Sequence, residues 1–391
     1  MRTCLRKIGI LAAAILLAAL CTIGCKTEVS DETFTVEVTA GEHGTVSAMP
    51  AIPASGKVTQ GTVITFIAFP KIGYQIDKWT ITGGSFEEGG TAGSPTADVT
   101  ISADTKVNVS FTPATYAEVP FGTNGADLNK YLKTAVPDII GICYIKVNGL
   151  TAADLKRNVA SPFEPGALGK ILKDNPTKKV ALKLEEIPGL TDMTNCFFDC
   201  KSLIQAPVIP AGVTNMSVCF YGCESLAQAP VIPAGVTNMS ECFFDCTSLT
   251  QAPVIPAGVT DMSECFYGCE SLTQAPVIPA GVTDMSYCFY GCESLTQAPV
   301  IPKTVRYMIS CFESCEKITT VTLKCPYNPI QISNPNLWSG QKYAFENAFK
   351  NCKGLGNGSI KVPADQLQTY RLNGDKMGLE SYFGRYKFVA E

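Results

Sequence analysis

The chain has 391 residues, of which 46% are hydrophobic and 17% charged. That composition excludes a disordered polymer and allows two or three domains. A formal net charge of −4 excludes a strongly basic nucleic-acid binder. The single histidine, His43, removes every site that needs two imidazoles, and 18 cysteines are the other outlier.

The N-terminus reads as an address. Arg2, Arg6 and Lys7 precede an apolar run, Ile8 to Leu20, of 13 residues. This run is too short for a hydrocarbon core of ~30 Å. Thr22-Ile23-Gly24-Cys25 comes next. It resembles the lipobox of a bacterial lipoprotein signal, with Thr22 where the stricter pattern has Leu. The resemblance implies a signal peptide over 1–24, lipidation of Cys25, a polar tether over 25–33, and a cell-envelope location. The membrane is then met through the lipid anchor alone. Cleavage as an ordinary secretory signal is the alternative.

Residues 34–113 hold several short strand-like runs: 34–38 and 97–111, which alternate with period two, 63–69, and 74–82 around Trp79. Gly and Pro clusters separate them. This predicts a small all-β or β-rich domain, with Phe66, Phe69, Tyr74, Trp79 and Phe111 as its aromatic core and His43 as an exposed turn residue. The wording around Gly44, Gly61, Gly73-Tyr74 and Trp79 resembles the divergent internalin B-repeat family of bacterial surface proteins. That resemblance implies a spacer or binding module without catalysis.

Residues 114–185 predict an α/β linker that forms an N-terminal cap on residues 186–363. Helices are expected over 128–136, 152–159 and 167–174, and strands over 139–147 and 178–184.

Self-similarity dominates 190–316, within a repeat region expected over 186–363. Cys196, Cys219, Cys242, Cys265, Cys288 and Cys311 recur every 23 residues. A second column stands four residues later: Cys200, Cys223, Cys246, Cys269, Cys292 and Cys315. Phe197, Phe220, Phe243, Phe266, Phe289 and Phe312 keep the same step. A fixed period in the twenties predicts a solenoid whose layers bury their apolar faces only against one another, with the Phe and second-Cys columns as its core ladder. Met262, Cys265/Phe266 and Cys269 fall on one face of two helical turns, which predicts a short convex helix per unit. The segment after Leu272 is extended and predicts a short parallel concave strand. Pro276 and its equivalents lack the N–H of a ladder, so only isolated bridges are expected there.

Phe266, Cys269, Leu272 and Ile278-Pro279 resemble the motif of the BspA-like, Treponema-type leucine-rich repeat. Cys265 is an addition to that motif. Phe349, Cys352 and Leu355 resemble a last degenerate copy, and residues 364–391 read as a closing cap with a short helix.

The twelve repeat cysteines admit three readings. Metal lacks third and fourth ligands beside each pair. Disulfides are permitted by an exported location, but an i, i+4 pair is poorly oriented; Cys325–Cys352 is the candidate outside the array. Buried thiols that act as small hydrophobes are the favoured reading. No metal and no cofactor is expected.

Residues 191–302 hold ten acids against Lys201 alone, whereas 303–391 hold 12 bases and seven acids. The candidate binding face consists of Gln205, Gln228, Gln251, Gln274 and Gln297, with Ile209, Ile232, Ile255, Ile278 and Ile301 beside them. The Ile row is placed either on that face or in the core. No thiol has a histidine nearby, and neither a phosphate loop nor HExxH or GxSxG occurs, so an enzyme is not expected. The expected function is that of a lipid-anchored surface protein binding protein partners through its solenoid. Resemblance points to adhesion to host or matrix proteins or to other bacteria, without nucleic acid. A passive envelope or stalk protein is the alternative.

Overall fold

The computed structural model describes residues 32–138, 140–156, 164–330, 343–379 and 384–391. The expected signal peptide and Cys25 lie outside the described residues, as do all but the last two positions of the expected tether.

The first domain holds β1 (Thr33–Ala40), β2 (Gly44–Met49), β3 (Lys57–Thr59), β4 (Val63–Pro70), β5 (Tyr74–Thr82), β6 (Glu88–Gly89), β7 (Thr96–Thr100) and β8 (Thr105–Pro113). They form two four-stranded sheets, ordered β3-β1-β8-β5 and β2-β4-β7-β6. Alternation buries Ile64, Phe66 and Ala68 of β4 together with Val99, Val107, Val109 and Trp79. Phe69 falls on the other phase of β4 and is exposed, which corrects its assignment to the core. Tyr74 and Phe111 are half-buried. The Phe111 ring covers Gly44 so closely that a Cβ there would lie 2.2 Å from it. His43 takes a left-handed turn conformation (φ 73°) and stacks on Tyr74 at 3.9 Å.

The linker supplies β9 (Ala117–Pro120), α1 (Ala126–Thr134), β10 (Ile142–Asn148), α2 (Ala152–Leu155), α3 (Ala167–Lys173) and β11 (Lys179–Leu184). These strands and β12 (Leu203–Gln205) form a parallel sheet ordered β12-β11-β10-β9. Leu128, Leu132, Leu168 and Leu172 close the end of the repeat core. The first domain is fastened here by the Gly73 N–H, which donates to Tyr144 Oη (3.3 Å), while within the linker the Tyr116 O–H donates to Gln205 Oε1 of the first repeat (3.2 Å).

In the repeats the Phe rings stand in file. Phe197, Phe220, Phe243, Phe266, Phe289, Phe312 and Phe349 stack with centroids 5.4 to 5.8 Å apart and planes within 8°. One buried cluster runs from Val119 in the linker to Phe388 near the end. Each layer thus lends a face to two neighbours.

The convex helices are not formed among the described residues, which corrects that expectation. Met262–Cys269 is a ribbon of turns. Glu264 (φ 55°) and Gly268 (φ 67°) are left-handed, and a right-handed helix tolerates neither. Hydrogen bonds alternate instead. Met262, Glu264, Phe266 and Gly268 donate N–H to Asp284, Ser286, Cys288 and Tyr290 of the next layer, at 2.8 to 3.0 Å. Cys265, Tyr267 and Cys269 donate three residues back within their own layer. On the other flank, isolated parallel bridges join Gln251, Gln274 and Gln297, as the prolines require.

A helix-backed solenoid curves because helices of ~10 Å diameter sit behind strands spaced ~4.8 Å. Here both flanks carry inter-layer hydrogen bonds, and the outer rings on the turn flank lie only 4.3 to 4.8 Å apart. Among the described residues no helix sits behind the layers, so the cause of a helix-backed curvature is missing. The end is closed by β13 (Val300–Ile301), β14 (Val321–Leu323), β15 (Ile360–Val362), α4 (Leu367–Leu372) and β16 (Phe388–Ala390), with a parallel sheet ordered β13-β14-β15-β16.

Candidate interaction face

The extended segment of each layer sorts its side chains inward and outward, alternating over 276–278. Pro276 and Ile278 point in and Val277 points out. Ile209, Ile232, Ile255, Ile278 and Ile301 are all at most 7% exposed. They belong to the core, which corrects their placement on the binding face. The exposed column is the preceding residue: Val208, Val231, Val254 and Val277 are 82 to 88% exposed, and Val300 51%. Gln228, Gln251, Gln274 and Gln297 stand exposed beside it, and Gln205 is half-buried under the first domain. Among the described residues, no hydrogen bond engages those four exposed amides.

The threonines flanking this face add to its apolar character. The hydroxyls of Thr250, Thr273 and Thr296 donate to carbonyl oxygens of the preceding layer at 3.3 to 3.4 Å. Thr214, Thr237 and Thr283 do the same along the far edge. With each donor already engaged, the methyl group is the part left to present. No charged residue occurs in 202–214, 225–237, 248–260 or 271–283.

The turn flank is the opposite. Phe198, Tyr221, Phe244, Tyr267 and Tyr290 make a half-buried outer ladder, with the Lys173 ammonium over the Phe198 ring at its start. Carboxylates line it. Lys201 pairs with Glu224 (2.7 Å) and Asp199 (3.8 Å), and Lys173 with Asp199 (3.6 Å). Glu241, Asp245, Asp261, Glu264, Glu270, Asp284 and Glu293 have no ion-pair partner among the described residues. Burial, then the charges of Glu241 and Asp284, push the Glu264 carboxyl up to about 7. Burial and Asp261 likewise raise Glu241, while burial raises Asp284 against the opposing N–H of Ser286.

The twelve repeat thiols are buried and free. The second cysteine of each layer is more than a small hydrophobe. Cys223, Cys246, Cys269, Cys292, Cys315 and Cys352 each donate S–H to the carbonyl of a core Phe in the layer before, at 2.9 to 3.2 Å. Cys200 opens the series on Gly169 O (3.2 Å). Sequence reasoning missed this role, although the invariant step from Phe to Cys was its signal. Burial pushes these thiols well above their ordinary range, so no thiolate is available for attack. Cys325 and Cys352 are likewise free, which removes the disulfide candidate; Cys325 sits beside Tyr370 Oη at 3.6 Å. No group of three or more His, Cys, Asp or Glu side chains among the described residues could hold a metal ion.

The family whose model matches residues 190–296, 217–334 and 242–373 is the BspA type leucine-rich repeat region, in six copies. The divergent InlB B-repeat domain matches residues 34–115. The array is therefore BspA-type leucine-rich repeat, preceded by a B-repeat domain. A solved leucine-rich repeat protein of T. pallidum is similar at 22% identity, over 51% of this chain and 84% of that one, with a TM-score of 0.36. One from Bacteroides ovatus ATCC 8483 is similar at 18% identity, over 55% and 85%, with a TM-score of 0.18. No curated protein matches. Proteins of both matched families are typically non-enzymatic binding or structural proteins. BspA-type proteins are typically surface-associated, and among the described residues no helix is long and apolar enough to cross a membrane.

Proposed function

We propose that this chain is a surface-displayed, lipid-anchored adhesin that binds protein partners through the repeat array. The observation that carries the reading is the uncharged face of Val208, Val231, Val254 and Val277 beside the Gln row. Stacked, hydrogen-bonded layers hold these side chains in fixed rows, and an exposed apolar strip of this kind marks protein interaction. The B-repeat domain stands at one end of the strip and acts as a spacer, and Cys25 carries the acyl chains.

The test is binding of purified residues 26–391 to a panel of matrix proteins and to whole bacterial cells. The Val254→Lys/Val277→Lys variant is the control. Binding lost in the variant, with thermal unfolding unchanged, supports the reading. Absence of binding to every member of the panel and to cells, by folded protein, refutes it.

A further inference from the structure

We propose that the uncharged Gln and Val face of the repeats is a self-association surface, on which a second copy of the chain docks with its repeat axis reversed. This deepens the adhesin reading by naming one partner, and rests on it.

Charge narrows the occupant first. The array carries ten acids and one base over 191–302, and the unpaired carboxylates lie along the turn flank. Two arrays repel one another through that flank. The Gln and Val face is the side on which they can meet, because its extended segments hold no ionisable group. Docking there leaves both acidic flanks pointing outward into solvent.

Periodicity narrows it further. The face repeats one set of groups per layer: an amide, an isopropyl group and threonine methyls. A partner fills every row only if its own rows keep the same step. Another copy of this array has that step by construction. Parallel bridges tie the extended segments layer to layer at Gln251, Gln274 and Gln297, which keeps neighbouring rows in step.

Two-fold symmetry then fixes the orientation. Reversing the repeat axis keeps lateral order, so the Gln row meets a Gln row and Val meets Val. Each amide has a donor and an acceptor to offer its counterpart. A parallel arrangement would set the amides against Ala280 and its equivalents and leave them unpaired on burial. An apolar groove lined by Pro253, Val254, Ile255, Pro276, Val277 and Pro279 lies between two layers, where a valine of the second copy can enter.

Five layers at ~4.8 Å and seven extended residues at ~3.3 Å give a patch on the order of 500 Å² per copy. Two copies bury about 1,000 Å², the lower end for specific interfaces, so the dimer is a weak one. Reversed docking also sets the two B-repeat domains at opposite ends of the pair, the geometry for linking two facing surfaces.

The experiment is sedimentation equilibrium on residues 26–391 from about 1 to about 500 µM. A monomer–dimer equilibrium is expected, with Val254→Lys/Val277→Lys raising the dissociation constant at least tenfold. Both valines are 87 to 88% exposed, so folding is unaffected, and circular dichroism checks this. Orientation is read by mild oxidation, because every other cysteine in that stretch is buried. Val254→Cys, at the middle layer, should cross-link to itself. Val208→Cys should not, but should cross-link to Val300→Cys. A monomer throughout, or a dimer untouched by the lysines, overturns the proposal. Self-linking of Val208→Cys overturns the reversed orientation. Retained matrix binding by a strictly monomeric protein sinks the second copy alone and leaves the adhesin reading standing.

Discussion

Replacing Glu264 by Gln should stabilise the protein above neutral pH and do nothing near pH 4. Glu264 lies among Glu241, Asp261 and Asp284, half-buried, with its carboxyl pushed from 4.5 to about 7. Its folded pKa is above its unfolded one, so the folded state favours the protonated acid. Below about pH 4.5 both states are protonated and the group is neutral in the balance. Between about pH 4.5 and about pH 7 the folded state progressively loses that advantage. That displacement of the pKa corresponds to at most about 3.4 kcal/mol. About a third of the group faces water, so screening reduces this to about 1–2 kcal/mol. Glutamine keeps the shape and carries no charge. Urea unfolding of wild type and Glu264→Gln at pH 4 and pH 8 reads the difference. We predict coincident curves at pH 4 and a variant more stable by about 1–2 kcal/mol at pH 8. An equal effect at both pH values, or a less stable variant at pH 8, would refute the reasoning.

Three further outcomes are expected. Val218 is β-branched and left-handed (φ 59°) in a slot that Asn195 and Asn347 fill elsewhere; Val218→Asn should raise stability by about 1 kcal/mol in urea unfolding. Phe266→Ala opens a gap between two stacked rings and should cost about 3–5 kcal/mol, with unfolding split into two transitions as the layers on either side uncouple. The fifteen cysteines among the described residues are all buried; Ellman's reagent should leave them untouched in the native state and titrate all of them in denaturant, and Cys269→Ala should cost about 1–2 kcal/mol through its lost S–H bond and small void.

Repetition made the core legible. Phe197 to Phe312 and the cysteine columns needed only their step of 23 to be placed in file. The helical reading of Met262, Cys265/Phe266 and Cys269 failed for a geometric reason. Apolar positions three, four and seven apart also fit a ribbon whose every fourth residue is left-handed, and the residues there (Asn195, Asp199, Gly222, Gly268, Asn351) were the available signal. The Ile and Val rows could not be told apart because both are β-branched and adjacent. The inward phase is fixed by the buried proline before Val277, which the sequence shows as a residue without showing as an orientation. In the first domain, Phe69 was misplaced because Val63 to Phe69 is apolar on both phases, and only the pairing with β2 and β7 decides which phase faces the second sheet.

Each layer offers its neighbours the same donors on one side and the same acceptors on the other. Unequal recombination within the gene could therefore excise one 23-residue unit, joining Asn238 directly to Met262, and leave no severed hydrogen bond. The rod would shorten by ~4.8 Å, its closing segments undisturbed. Copy number is thus a freely adjustable length, and the reach of the molecule can change between strains while its cross-section stays constant.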